Sequence, residues 1–456
     1  MKRIANPAVR RDRCRTRARG RWSTVALGAG LLAGCAAGPP YEVPSAPTPA
    51  KFKEAPVAGD TWLPAAPADA LDRGDWWALF GDPDLDRLAA QVRVSNQNVA
   101  AAVAAYAQAQ ALVREQRAAF FPTLGLDASA RRLGRGVESA QANAEANAAD
   151  LASARLSAQG ELAIDYFSLR EADAEAALLG KTIEGYERSL QITRNRYDAG
   201  IAPKTDVLQA ESQLASTRAD LAGLRADRAR FEHAIAVLVG VAPGDFAIRE
   251  AAWTPVVPAV PLGIPSELLQ RRPDIASAER QVVVANAQIG IERSAFYPSL
   301  ALSGTLGNSQ SRLGDLLSAS GALWSLGVSV AQTIFDAGAT RARVEGAEAG
   351  LDAAIARYRQ TVLTAFQAVE DQLASARSLA EQEELRRQAS NAADQVEQQV
   401  LNRYRAGQVG YTEVVTAQAS ALSARRALTQ VGVNRQVSTI TLIQALGGGW
   451  ERIETP

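Results

Sequence analysis

The chain has 456 residues in which 49 Lys and Arg balance 49 Asp and Glu, with one histidine and two cysteines. Nine of the basic residues, opposed only by Asp12, lie between Lys2 and Arg21, so the rest carries 40 basic against 48 acidic residues and lacks the basic footprint that nucleic acid requires. One histidine and, once Cys14 leaves with the export segment, a single cysteine leave no disulfide framework, metal-spaced cluster or nucleophile motif, so the pattern points away from an enzyme and implies no cofactor.

The N-terminus reads as an export signal over residues 1–34, with a basic stretch to Arg21, an apolar run from Val25 to Leu32 and small residues before Cys35. That run is too short to cross a membrane as a helix. Leu32-Ala33-Gly34-Cys35 matches the bacterial lipoprotein box, which makes Cys35 the expected lipidation site, carrying acyl chains such as palmitate. Ala36, in place of an aspartate, is similar to lipoproteins sorted to the outer membrane. Residues 35–74 are rich in Pro and Ala and read as an extended strap. Asp75-Trp76-Trp77 and Leu79-Phe80 then need a surface to cover, and Asp82-Pro83 starts a helix expected to run from Asp84 to Ala119.

From there the chain repeats itself. A shift of 176 places lays Ala119-Phe120-Phe121-Pro122 on Ala295-Phe296-Tyr297-Pro298, whereas a shift of 207 lays Asn195-Arg196-Tyr197-Asp198-Ala199-Gly200 on Asn402-Arg403-Tyr404-Arg405-Ala406-Gly407. The two copies are assigned to residues 75–250 and 251–456, and the first is short by 31 residues.

Gly136 to Asp198 contains no proline and predicts a helix of about 60 residues, roughly 90 Å long. Gly200 stops it, and Pro203 opens a second helix to Val239, the punctuation of a tight hairpin. The second copy predicts the same pair over Thr340 to Arg405 and Thr412 to Leu446. Leu169, Leu178, Leu179, Ile183, Leu190 and Tyr197 form a narrow apolar seam, so these coiled-coil-like hairpins need further hairpins to pack against. His233 falls on the second helix, in a position suited to its surface or packing. Between the helical parts of the second copy, Leu300–Leu306 and Leu326–Phe335 alternate apolar and polar residues, as transmembrane β-strands do.

Gly263-Ile264-Pro265-Ser266-Glu267-Leu268-Leu269-Gln270-Arg271-Arg272-Pro273-Asp274-Ile275, then Ala285-Asn286-Ala287-Gln288-Ile289-Gly290, Phe296-Tyr297-Pro298-Ser299-Leu300 and Ile334-Phe335-Asp336-Ala337-Gly338, resemble the outer-membrane efflux protein family. These are the TolC-like channels, and within them the NodT-like lipoprotein exit ducts of tripartite RND-type systems, including those of antibiotic resistance. The resemblance implies a mainly α fold: long antiparallel hairpins forming a periplasmic α-barrel tunnel, with a small transmembrane β-barrel contribution. It also implies a homotrimer in the outer membrane of a Gram-negative bacterium, lipid-anchored and mostly periplasmic, which docks a periplasmic adaptor protein and an inner-membrane RND-type transporter. By position, the periplasmic aperture and adaptor-docking residues would be Tyr197, Gly200, Thr205, Asp206, Tyr404, Gly407, Thr412 and Glu413. Asp206 and Glu413 also suit helix N-termini as such, and lining a pore they would favour cations.

The 31 missing residues fall on the first copy's β-hairpin, which goes from Leu124–Ala130 almost directly into helix. The expectation is a loop there and two strands per protomer, with Arg131 to Glu145 rebuilt as a poor strand as the alternative. A six-stranded barrel would be too narrow for an open duct, so an impaired, non-conducting scaffold lipoprotein that keeps adaptor docking stands as the competing reading.

Overall fold

The computed structural model describes residues 38–49, 51–54, 74–118, 128–130, 134–258, 260, 271–308 and 322–448. The signal segment, Cys35, most of the strap and the motif stretch 261–270 lie outside the described residues. The elements are α1 (Pro83–Ser95), α2 (Gln97–Ala118), β1 (Ala128–Ala130), α3 (Gly134–Asp198), α4 (Lys204–Leu238), α5 (Pro273–Arg293), β2 (Ser299–Asn308), β3 (Ala322–Ala331), α6 (Ala339–Arg405) and α7 (Tyr411–Ala445). No helix among the described residues is long and apolar enough to cross a membrane. The chain divides into two compact units, one holding the strands and one most of the helical residues.

In the strand unit the sheet order is β1-β2-β3, antiparallel throughout. The register sets Leu302 against Val328 and Leu300 against Val330. Trp324, Leu326, Val328 and Val330, alternate residues of β3, are all exposed. Ser325 and Ser329 share the other face with Gly327, where the Thr305 and Ser325 hydroxyls hydrogen-bond across the strands. The sequence placed the second strand at Leu326–Phe335, but it ends at Ala331, the partner of Ser299. Pro298, just before β2, has no N–H with which to continue the ladder. Asp336 then caps α6 by accepting from the N–H groups of Gly338 (3.0 Å) and Thr340 (2.8 Å).

The expectation of two strands per protomer is corrected. Ala128–Ala130 form a third strand on the free edge of β2, pairing Ala128 with Gly304 and Ala130 with Leu302. The alternative of a strand over Arg131 to Glu145 is corrected too, since residues 134–145 belong to α3, while 119–127 and 131–133 lie outside the described residues. An open strand edge offers unpaired backbone groups, and three small residues suffice to take them. This short strand is antiparallel to β2, as β3 is, so it runs in the direction of β3.

In the helical unit, the single helix expected over Asp84–Ala119 breaks at Asn96. Its side chain accepts from the N–H groups of Asn98 (2.9 Å) and Val99 (3.1 Å), capping α2, and donates to the Leu238 carbonyl at 2.8 Å. The second copy closes in the same way: Arg272, the repeat equivalent of Asn96, donates to the carbonyl of Ala445, the equivalent of Leu238, at 2.8 Å. Gly240 passes so near Ser95, and its equivalent Gly447 so near Arg271, that a Cβ at either would strike backbone at 2.2 and 2.6 Å.

The core of this unit gathers where Trp76, Trp77 and Phe80, in one turn of 3₁₀ helix, meet Tyr166 and Phe167 of α3, with Leu85, Leu88, Ile235, Ile440 and Ile443 around them. The rings of Phe80 and Phe167 pack tilted, with centroids 5.0 Å apart. Beside it lies a buried ion network. Asp173 accepts from Arg170 (3.0 Å) and from Arg228 (2.6 Å), Arg170 also donates to the Arg249 carbonyl at 2.8 Å, and Tyr166 donates to Asp82 at 2.7 Å. A buried charge persists only when paired and hydrogen-bonded, and each of these groups has its partner. Of the predicted seam, Leu169, Leu179 and Leu190 are buried, but Tyr197 is exposed. Tyr186, outside the predicted seam, is buried where α3 meets α4 and α7.

Candidate functional site at the hairpin tips

The two hairpins turn by one backbone design. After α3, the Gly200 N–H donates to the Tyr197 carbonyl (2.8 Å) and the Ile201 N–H to the Arg196 carbonyl (2.8 Å). After α6, the Gly407 N–H donates to Tyr404 (2.9 Å) and the Gln408 N–H to Arg403 (2.9 Å). These are Schellman closures, and they need a left-handed residue at the turn: φ is +70° at Gly200 and +74° at Gly407. The open space around Gly200 shows that backbone conformation, not crowding, requires the glycine.

Each new helix then starts without a side-chain cap, at Pro203 and Gly410. The third residues, Asp206 and Glu413, instead bring carboxylates to the positive ends of the helix dipoles, while their N–H groups bond back to Pro203 (3.1 Å) and Gly410 (3.2 Å). Asp206 is half-buried, and desolvation raises its pKa above the usual carboxylate value while Arg196 pulls it down. Glu413 is exposed.

The tips are joined by a residue the sequence reading did not single out. Arg196, at the end of α3, donates to the carbonyls of Tyr404 (3.1 Å) and Arg405 (3.3 Å) on the other hairpin, with its guanidinium 4.9 Å from the centre of the Tyr404 ring. Tyr404, only 2% exposed, meets the ring of Tyr411 edge-on at 5.3 Å and reaches Thr193 at 3.4 Å. Burial pushes the Tyr411 hydroxyl up to about 12, so it stays protonated. One helical turn further on, Gln418 donates to Ser189 at 3.2 Å, and at the outer end Thr412 meets Gln209 at 3.5 Å. Of the eight residues predicted for the aperture, Tyr404 and Thr412 thus contact the opposite hairpin, whereas Tyr197, Gly200, Thr205, Gly407 and Glu413 are exposed and Asp206 is half-buried. The signal for Arg196 was present in the repeat, since Asn-Arg-Tyr recurs at 195–197 and 402–404. The arrangement is a bridge between helix ends, one that can hold two hairpins together or release them. Among the described residues no group of three or more His, Cys, Asp or Glu could hold a metal ion.

Comparison with known proteins agrees with this architecture. The family model described as "Outer membrane efflux protein" matches residues 131–241 and 264–448. The chain is 30% identical to the probable efflux pump outer membrane protein TtgC of Pseudomonas putida, over 94% of this chain and 95% of that protein. It is 27% identical to the probable outer membrane lipoprotein SilC of Salmonella typhimurium, over 92% of this chain and 97% of that protein. The solved structure of the outer-membrane channel OprN superimposes with a TM-score of 0.82 at 30% identity, covering 91% of this chain and all of that one. Two glycine-turned helical hairpins, a sheet with an exposed apolar row and a family match over most of the chain lead to one conclusion: this protein belongs to the outer membrane efflux protein family.

Proposed function

We propose that the chain is the outer-membrane exit duct of a tripartite efflux system, a passive channel for small molecules. The observation that carries this reading is the exposed row Trp324, Leu326, Val328 and Val330 on one face of β3, with Ser325, Gly327 and Ser329 on the other between Leu323 and Ala331 at its ends. A strand with an apolar face turned outward and a polar face turned inward suits a barrel wall between lipid and water. In this reading three copies share the barrel, their hairpins build the periplasmic tunnel, and Cys35 carries the lipid anchor. The repeats at 75–250 and 251–456 supply equivalent hairpins. The tips, with Tyr197, Gly200, Thr205, Asp206, Tyr404, Gly407, Thr412 and Glu413, form the aperture and receive the adaptor, while an inner-membrane RND-type transporter supplies the energy. The third strand β1 widens the contribution of each copy beyond two strands and speaks against the competing reading of a non-conducting scaffold, which rested on two.

The test is single-channel recording of the purified full-length protein in planar bilayers. Discrete conductance steps are expected, larger in Arg196→Ala because the tip bridge is gone. A protein that inserts but never conducts would defeat the reading. In the same recordings Asp206→Ala and Glu413→Ala should lower cation selectivity, and unchanged selectivity would remove these carboxylates from the pore.

A further inference from the structure

The 207-residue repeat relates the two tips residue for residue, yet it leaves one clamp made and another open. Arg196 grips the Tyr404 ring and the carbonyls of Tyr404 and Arg405. The repeat equivalent of Arg196 is Arg403, and the equivalents of Tyr404 and Arg405 are Tyr197 and Asp198. All three are exposed, Tyr197 at 42% against 2% for Tyr404. Each chain therefore presents a donor half on its second hairpin and an acceptor half on its first. Two complementary halves on different faces of one chain describe a head-to-tail contact, which closes into a ring when repeated by rotation.

We propose that Arg403 of one copy clamps the ring and carbonyl of the partner's Tyr197 and the carbonyl of the partner's Asp198, joining neighbouring copies at the tips. The proposal rests on the reading of the chain as a ring-forming duct and names the contact that closes the ring. Charge favours it, for Arg196 in the made clamp lies beside another cation, Arg405, whereas Arg403 would meet the carboxylate of the partner's Asp198. Carried over in the same way, the Thr412–Gln209 contact becomes Thr205 against the partner's Thr416, two hydroxyl groups.

Further from the tip the correspondence fails. The ion pair of Glu175 with Arg426 falls on Gln382 and Ala219, and the Ser189–Gln418 hydrogen bond falls on Val396 and Glu211. Val396 is 52% exposed. The seam between copies thus keeps the tip clamp and loses the polar links above it, so it parts before the seam within a chain when the clamp opens.

Cross-linking tests this. Cys14 and Cys35 are the only cysteines, one in the signal segment and one at the expected acylation site. In the full-length lipidated protein, Tyr197→Cys with Arg403→Cys, treated with a short bis-maleimide, should lose its monomer band on denaturing gels in favour of dimer and trimer. Either single variant should stay monomeric. Trimers by native mass spectrometry combined with monomers only on the gel would overturn the clamp and leave the ring standing. A wild-type protein that is monomeric by native mass would remove the ring itself. As a check against misfolding, Arg403→Glu should reduce the trimer fraction severalfold and Asp198→Arg should restore it, and a failure of that rescue counts against the clamp.

Discussion

Arg170 and Arg377 are the same residue of the repeat, as are Arg228 and Arg435, but the acid that organises the first pair is missing from the second. Asp173, which holds both Arg170 and Arg228, corresponds to Ala380. The side chains of Arg170 and Asp173 are 3% and 2% exposed, whereas that of Arg377 is 61% exposed and reaches outward to Glu54 of the strap at 2.8 Å. Arg435 turns to Glu383 instead. One substitution within a duplicated frame thus decides whether an arginine is buried in a closed network or left outside to collect a partner from elsewhere in the chain. The strap follows from this difference: Glu370, which stands where the first copy has Ala163, takes the N–H groups of Lys53 (2.6 Å) and Glu54 (3.0 Å), and Phe52 packs on Phe366.

The contrast can be broken most severely at Asp173. Asp173→Ala removes the carboxylate shared by the buried Arg170 and the part-buried Arg228 and should cost about 3 kcal/mol in chemical denaturation, whereas Glu383→Ala in the second copy, whose partners Arg435 and Arg387 are 28% and 50% exposed, should cost about 1 kcal/mol. Equal losses would show that the two copies bury their charges alike. Arg196→Ala comes next, removing two charge-assisted hydrogen bonds and a cation–π contact for about 1–2 kcal/mol, read as a lowered denaturation midpoint.

A smaller and pH-dependent effect is expected on α3. Burial, reinforced by Glu175, pushes the Glu171 carboxyl up to about 7 from 4.5. Because the fold favours the protonated form, this group's contribution is full below pH 4.5 and is lost as pH rises towards 7. The denaturation midpoint of the wild type should fall over that window, and Glu171→Gln should flatten the fall. The smallest change is Arg377→Ala, which breaks an exposed pair and should be visible as faster protease cleavage within residues 43–54. An unchanged cleavage rate would separate the strap from its arginine.

These outcomes also show what a linear reading could reach. The long helices were legible because no proline interrupts Gly136–Asp198, and their stops because glycine and proline punctuate the turns. The alternation of β3 was plain as well, although its end depended on Pro298, on the partner strand. The break at Asn96 escaped because an asparagine capping one helix while holding Leu238 across 142 residues is a tertiary contact with no local mark. The Arg196 bridge escaped for a similar reason: sequence equivalence marks Arg196 and Arg403 alike, and only packing makes one a clamp and leaves the other exposed. β1 was missed because three small residues have no periodicity to detect, and it exists only because β2 offers an edge.

The direction of that short strand limits how copies can join. An up-and-down sheet alternates in polarity, so its two margins point opposite ways only if the strand number is even. Among the described residues the margins are β1 and β3, and both carry the same polarity. If the margin of one such sheet bonded directly to the margin of the next around a ring, the joint would be a parallel pair, with evenly spaced, slanted hydrogen bonds, in a wall otherwise antiparallel. Parity, more than strand length, would then make these joints the least regular lines of the barrel.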